Sequence, residues 1–175
     1  IRACGGERAG GHVIEALKHG RRLGFLGGGD IHDGRPGDDL HVCQANVAGY
    51  ATDLYPQGFT AACVPALTRE AVFDALASRR TYATTRRRIY LDIVPRPDDE
   101  GLMLRVAAAS DDTLREVTLV RGGETVERCR GDSDPRVVET EFRTADLAPR
   151  EFCYVRVVTG EGDLAWSSPV WGDLT

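Results

Sequence analysis

Between Ile89 and Val106 the sequence reads IYLDIVPRPDDEGLMLRV. Ile89, Leu91 and Ile93 fall on one side of an extended chain, and Tyr90 and Asp92 on the other. Leu102, Leu104 and Val106 repeat the alternation after the turn-like Asp98 to Gly101. Period two is the signature of a half-buried strand, and two such runs joined by a polar turn predict a hairpin.

The pattern continues toward the C-terminus. Val117 and Leu119, then Val138, Thr140 and Phe142, then Cys153, Val155 and Val157 alternate in the same way. Gly122-Gly123 suits a tight hairpin turn, and Gly131 to Pro135 is turn-like. Six or seven short strands at this spacing predict an antiparallel β-sandwich over residues 86–175. Trp166 and Trp171 are expected to serve as its large apolar anchors.

Residues 1–85 have a different texture. Val13, Ala16 and Leu17 share one helical face, with Gly20 as a stop. Arg22 to Leu26 reads as a strand that runs into Gly27-Gly28-Gly29 and the polar stretch Asp30-Ile31-His32-Asp33-Gly34-Arg35. Residues 38–57 carry no pattern and are expected to form a long loop. Gly58 to Val64 reads as a strand. Thr68 is a candidate N-cap, and Leu67 and Val72 are placed for a hydrophobic staple. Val72, Phe73, Ala75 and Leu76 are the expected buried face of that helix, which should end near Arg79-Arg80. Thr81 to Thr85, rich in β-branched residues, is expected to be extended.

The bulk numbers narrow the function classes. The chain has 175 residues with 42% hydrophobic and 28% charged residues, the composition of a globular protein. A net charge of −5 gives no global attraction for nucleic acid. No apolar run approaches the ~18 residues of a membrane helix. The five cysteines form no CxxC and no obvious disulfide framework, which slightly favours a reducing, cytoplasmic setting. The first residues show neither a Met nor a signal-peptide pattern, and they do not read as a natural domain start. No G-x-S-x-G or recognisable cysteine nucleophile context points to a serine or cysteine hydrolase.

Asp30 and His32 carry the sharpest chemical signal. In extended chain, residues i and i+2 project to the same side, so a carboxylate and an imidazole can converge on one cation. That donor pair suits Zn, Mn or Fe. Arg35 is placed to hold a phosphate oxygen by charge-assisted hydrogen bonds. His12 and His19 read as solvent-facing helix residues, and His41 as a weaker candidate near the loop. Arg79-Arg80 and Arg86 to Arg88 read as a helix end and a solvated strand start. Asp111-Asp112 and Asp132 to Asp134 read as turn residues, although calcium is an alternative.

Three segments together carry a family resemblance. ALKHGRRLGFLGGGDIHDGRPG (16–37) resembles the last metal motif of the PHP (polymerase and histidinol phosphatase) superfamily. LTREAVFDALASRRTYATT (67–85) resembles the segment that follows it in one branch, and CYVRVVTGEGDLAWSSPVW (153–171) the strand pair that closes such chains. Two departures stand out: Arg86 replaces the usual glycine after YATT, and Gly28 and Gly29 replace small serines. The resemblance implies that residues 1–85 are the C-terminal portion of a (β/α)7-like barrel. It also implies metal-dependent hydrolysis of phosphate esters, with Asp30 and His32 as ligands of divalent metals. The remaining ligands, a His-x-His pair among them, are not in this sequence, so the isolated chain is expected to be inactive. The expected partners are a phosphate-containing small molecule and either a missing N-terminal barrel segment or a second copy. The alternative is a non-catalytic β-sandwich interaction module.

Overall fold

A computed structural model describes residues 10–28, 58–85, 87–130 and 135–173. Its elements run in the order α1 (Val13–Lys18), β1 (Phe59–Ala62), α2 (Arg69–Ala77), β2 (Thr81–Thr84), β3 (Tyr90–Asp98), β4 (Gly101–Ala109), β5 (Leu114–Arg121), β6 (Glu124–Cys129), β7 (Val137–Thr144), β8 (Phe152–Thr159), β9 (Leu164–Ser167) and β10 (Val170–Trp171). The strands form two sheets. One has the order β1-β2-β9-β8-β5-β6, with β10 also paired to β8; the other is β3-β4-β7.

Among the described residues the expected barrel fragment is not there. In a (β/α)8-type barrel, neighbouring strands are parallel and each connection is a helix. Here β1 pairs antiparallel with β2, and β2 antiparallel with β9. The helix α2 therefore links two antiparallel neighbours instead of crossing over between parallel ones. Among the described residues every strand pair is antiparallel and neither sheet closes on itself. The α/β texture of the first half misled because a helix between two short apolar runs has the same composition in both arrangements.

The sandwich itself follows from the alternation. Leu91, Leu104, Val106, Val138 and Phe142 from the small sheet meet Val117, Leu119, Val155 and Val157 from the large one, all almost fully buried. The turns match the sequence chemistry. Gly122 and Gly123 both have positive φ, 58° and 97°, as a two-residue type I′ hairpin requires. Gly101, at φ 133°, begins β4 where a side chain would collide with the Thr144 carbonyl. Pro95 and Pro97 are tolerated because β3 is an edge strand.

A second, smaller apolar cluster lies away from this core. Trp171 and Phe152 are buried against Leu17 of α1, with Ile14, Phe25 and Tyr154 around them. The tryptophans thus do not divide as expected. Trp171 secures α1 to the strands β8 and β10, and Trp166 is only half-buried. On α1 the buried residue is Leu17, with Ile14 beside it, and Val13 is exposed. Gly20 does end the helix, at φ 76°, with its amide donating to the Leu17 carbonyl at 2.8 Å.

Candidate functional site

The polar segment singled out in the sequence is reached through residues 21–28, which form no strand ladder. Side chains hold this arm instead. The Phe25 amide donates to Ser168 Oγ at 2.9 Å, and Thr81 Oγ1 donates to the Phe25 carbonyl at 3.0 Å. The two hydroxyls lie 3.1 Å apart. Thr81 has one hydroxyl proton and gives it to Phe25, so Ser168 must be the donor between them. The result is a closed ring that satisfies both backbone groups of Phe25, as a neighbouring strand would have done.

Two residues on, Thr60 repeats the device. Its Oγ1 accepts from the Gly27 amide at 3.0 Å and donates to the Gly27 carbonyl at 2.8 Å. The backbones approach so closely that glycine is required. A Cβ at Gly27 would collide with the Phe59 carbonyl, and one at Gly58 would lie 2.9 Å from the Gly28 carbonyl oxygen. The phenyl ring of Phe25 packs edge-on to Tyr154 at 5.4 Å. Arg22 pairs with Asp173.

Asp30, His32, Arg35 and His41 lie outside the described residues, as do Arg86 and Asp132 to Asp134. The arm that leads to Asp30 is described as far as Gly28. Thr81 and Ser168, which clamp it, lie in RRTYATT (79–85) and AWSSPVW (165–171), so three separate stretches of sequence meet around Phe25. Sequence reading passed over these hydroxyls, because Thr in a strand and Ser before a proline have ordinary local explanations.

Two other charged clusters among the described residues are internally satisfied. Arg87 spreads its guanidinium over Asp111 (2.7 Å), Glu161 (2.7 Å) and the buried Asp163 (3.1 Å). It ties the β2–β3 link to the β4–β5 crossover and the β8–β9 turn. The Arg87 guanidinium holds the Asp111 carboxyl below its ordinary range. Asp112 accepts from the amides of Thr113 and Glu161 at 2.7 and 2.9 Å, so the calcium alternative at Asp111-Asp112 finds those oxygens already engaged. Arg121 grips Glu151 with two bonds, at 2.7 and 2.8 Å, and lowers the Glu151 pKa. Arg88 stacks over the Phe59 ring, 5.6 Å from its centre.

His12 and His19 flank α1 beside a surface depression of about 400 Å³ that Glu15 also lines. Among the described residues, however, no group of three or more His, Cys, Asp or Glu side chains is arranged to hold a metal ion. Cys63, Cys129 and Cys153 are free thiols. Burial pushes the Cys153 thiol up to about 12, which makes it a core residue and not a nucleophile.

The fold defines the described residues as an antiparallel β-sandwich with an arm clamped to its large sheet. No family model and no solved structure matches the chain. Three chlamydial proteins do, each described only as an uncharacterized protein. Those from Chlamydia pneumoniae, Chlamydia muridarum and Chlamydia trachomatis are 31%, 29% and 27% identical over 188 aligned positions. The match covers 94% of this chain, which spans 29% of the length of each relative.

Proposed function

We propose that this chain is the ligand-presenting part of a larger metal-dependent hydrolase acting on phosphate esters. In this reading the sandwich is a scaffold for the segment that begins at Asp30. The observation that carries it is the clamp on the arm. Phe25 and Gly27 are fixed by hydroxyls from Thr60, Thr81 and Ser168, with Asp30 three residues beyond Gly27. A backbone held this firmly limits where the following residues can go, which suits side chains that must converge on a cation.

Asp30 and His32 would hold one divalent ion, and Arg35 would take a phosphate oxygen. Such an ion lowers the pKa of water and neutralises charge that develops on a phosphoryl group. Two protein donors are too few for a complete site, so the remaining ligands would come from a longer polypeptide. The greater length of the chlamydial relatives supports that.

The test is metal content and p-nitrophenyl phosphate hydrolysis. Both are measured on this chain and on a longer natural polypeptide that includes it. The longer polypeptide should be active, and Asp30→Ala or His32→Ala should lower its rate at least ~100-fold. The 175 residues alone should be inactive. Strong activity from them alone, or unchanged activity in both variants, would overturn the reading.

A second reading, a non-catalytic interaction module, draws on the described residues themselves. They contain no group of three or more residues arranged to hold a metal, and Asp111, Asp163 and Glu151 are engaged by Arg87 and Arg121. A longer polypeptide with no bound metal and no hydrolysis would favour it.

A further inference from the structure

The longer edge strands of the two sheets are not treated alike. Edge strands expose unpaired backbone groups, and proteins blunt them with charge or proline. Among the described residues β3 carries Pro95 and Pro97, β6 carries Glu124, Glu127 and Arg128, and β7 carries Glu139, Glu141 and Arg143. By contrast, β1 reads Phe-Thr-Ala-Ala and has no charge and no proline.

The helix beside that edge is also only half used. Ala75 of α2 is fully buried and Val72 partly so, yet Phe73 is 69% exposed, Leu76 43% and the preceding Leu67 92%. On a helical projection Leu76 and Phe73 continue the apolar arc that begins at Ala75 and Val72, interrupted only by Arg69. The helix thus has one apolar flank seated on the sandwich and a second that faces outward. The expected staple is also open, because Leu67 points away from the fold. Monomeric proteins rarely leave large apolar side chains clustered in this way.

We infer that the outer flank of α2 and the β1 edge dock the remainder of a longer polypeptide. This rests on reading the chain as one part of a larger hydrolase. The length of the relatives identifies the occupant. The match covers 94% of this chain, and α2 lies far enough from both ends to fall within it. Most of each relative's length lies outside the match and is available to cover such a face. Position supports the same choice. A Cβ on Gly24 would lie 3.2 Å from the Cβ of Arg79, just past the end of α2, and Gly27 abuts Phe59 at the start of β1. The docking edge therefore borders the arm that leads to Asp30.

The test has two arms. In the first, dye binding and sedimentation compare this chain with F73S/L76S, and with Leu67→Ser as a milder variant. The wild type should be monomeric and bind an apolar dye several-fold more than F73S/L76S, while circular dichroism stays the same. A dimer dissolved by the substitutions would assign the face to a second copy. Equal dye binding would mean that the chain covers the face itself. Either result overturns the inference. In the second arm, the intact Chlamydia pneumoniae relative receives a specific protease site at the boundary of the matched region. The cut pieces should co-elute, and serine at the positions aligned with Phe73 and Leu76 should part them. Wild-type pieces that separate overturn the docking. Metal content of the same intact protein reports on the hydrolase reading independently, so the two can fail separately.

Discussion

The inter-sheet core and the β1–α2 margin are built from similar residues and end in opposite states. In the core, Leu104, Leu119, Val155 and Val157 have no exposed surface. At the margin, Phe73 and Leu67 are mostly exposed. The difference lies in what faces each element. Two sheets offer each other complementary apolar faces about 10 Å apart, and both close completely. Among the described residues the nine-residue helix α2 buries one stripe beside an edge strand and leaves the next open.

The largest effect should come from breaking the closed side. Phe142→Ala removes a ring of β7 that is 1% exposed in the inter-sheet core, and should cost about 3–5 kcal/mol in urea unfolding. Leu17→Ala should cost about 2–4 kcal/mol by the same mechanism. It should also red-shift the fluorescence of Trp171, because it opens the cluster under α1. A third variant, Arg87→Met, strips the buried Asp163 of a charged partner, with an expected loss of about 1–3 kcal/mol at pH 7. On the open side, Phe73→Ser should change the stability of this chain by no more than about 0.5 kcal/mol. A large loss there would erase the contrast between the two regions.

Acid should act on the clamps and leave the core alone. Glu151 is held below its ordinary range chiefly by Arg121, and Asp111 by Arg87. A carboxyl depressed in the folded state stabilises fully above its unfolded pKa, and that contribution fades as pH falls through the folded value. Stability should therefore be flat above about pH 5 and decline below about pH 4. Arg121→Met should lower stability at neutral pH and flatten the decline between pH 5 and 3, read by circular dichroism in urea.

The sandwich was legible because its signal is local. Alternation in IYLDI, LMLRV and CYVRVV reports a face directly, and Gly122-Gly123 demands its turn. The pairing of β2 with β9 was not legible. It joins Tyr82 to Ser167 across most of the chain, and no periodicity reports a partner that distant. The same limit explains the arm. Arg22 to Leu26 was read as a strand because its composition is that of one. It forms no ladder: Phe25 is held by hydroxyls of Thr81 and Ser168, and Gly27 just beyond by Thr60, none of which carries a pattern. The helix α2 was placed correctly, and Thr68 does cap it, accepting from the Ala71 amide at 3.1 Å. Its buried face was drawn too wide, since amphipathicity marks which residues are apolar and not which of them this chain covers. The candidate ligands Asp30, His32 and Arg35 lie outside the described residues, so the fold neither supports nor opposes them.

The glycine contact between the arm and β1 gives the molecule a point of leverage. Only hydrogen fits at Gly27 and Gly58, so a single methyl group there acts as a wedge between two backbones. It would act where the arm meets β1 and leave the inter-sheet core untouched. The fit of the arm against β1 is thus governed by two positions that have no side chain.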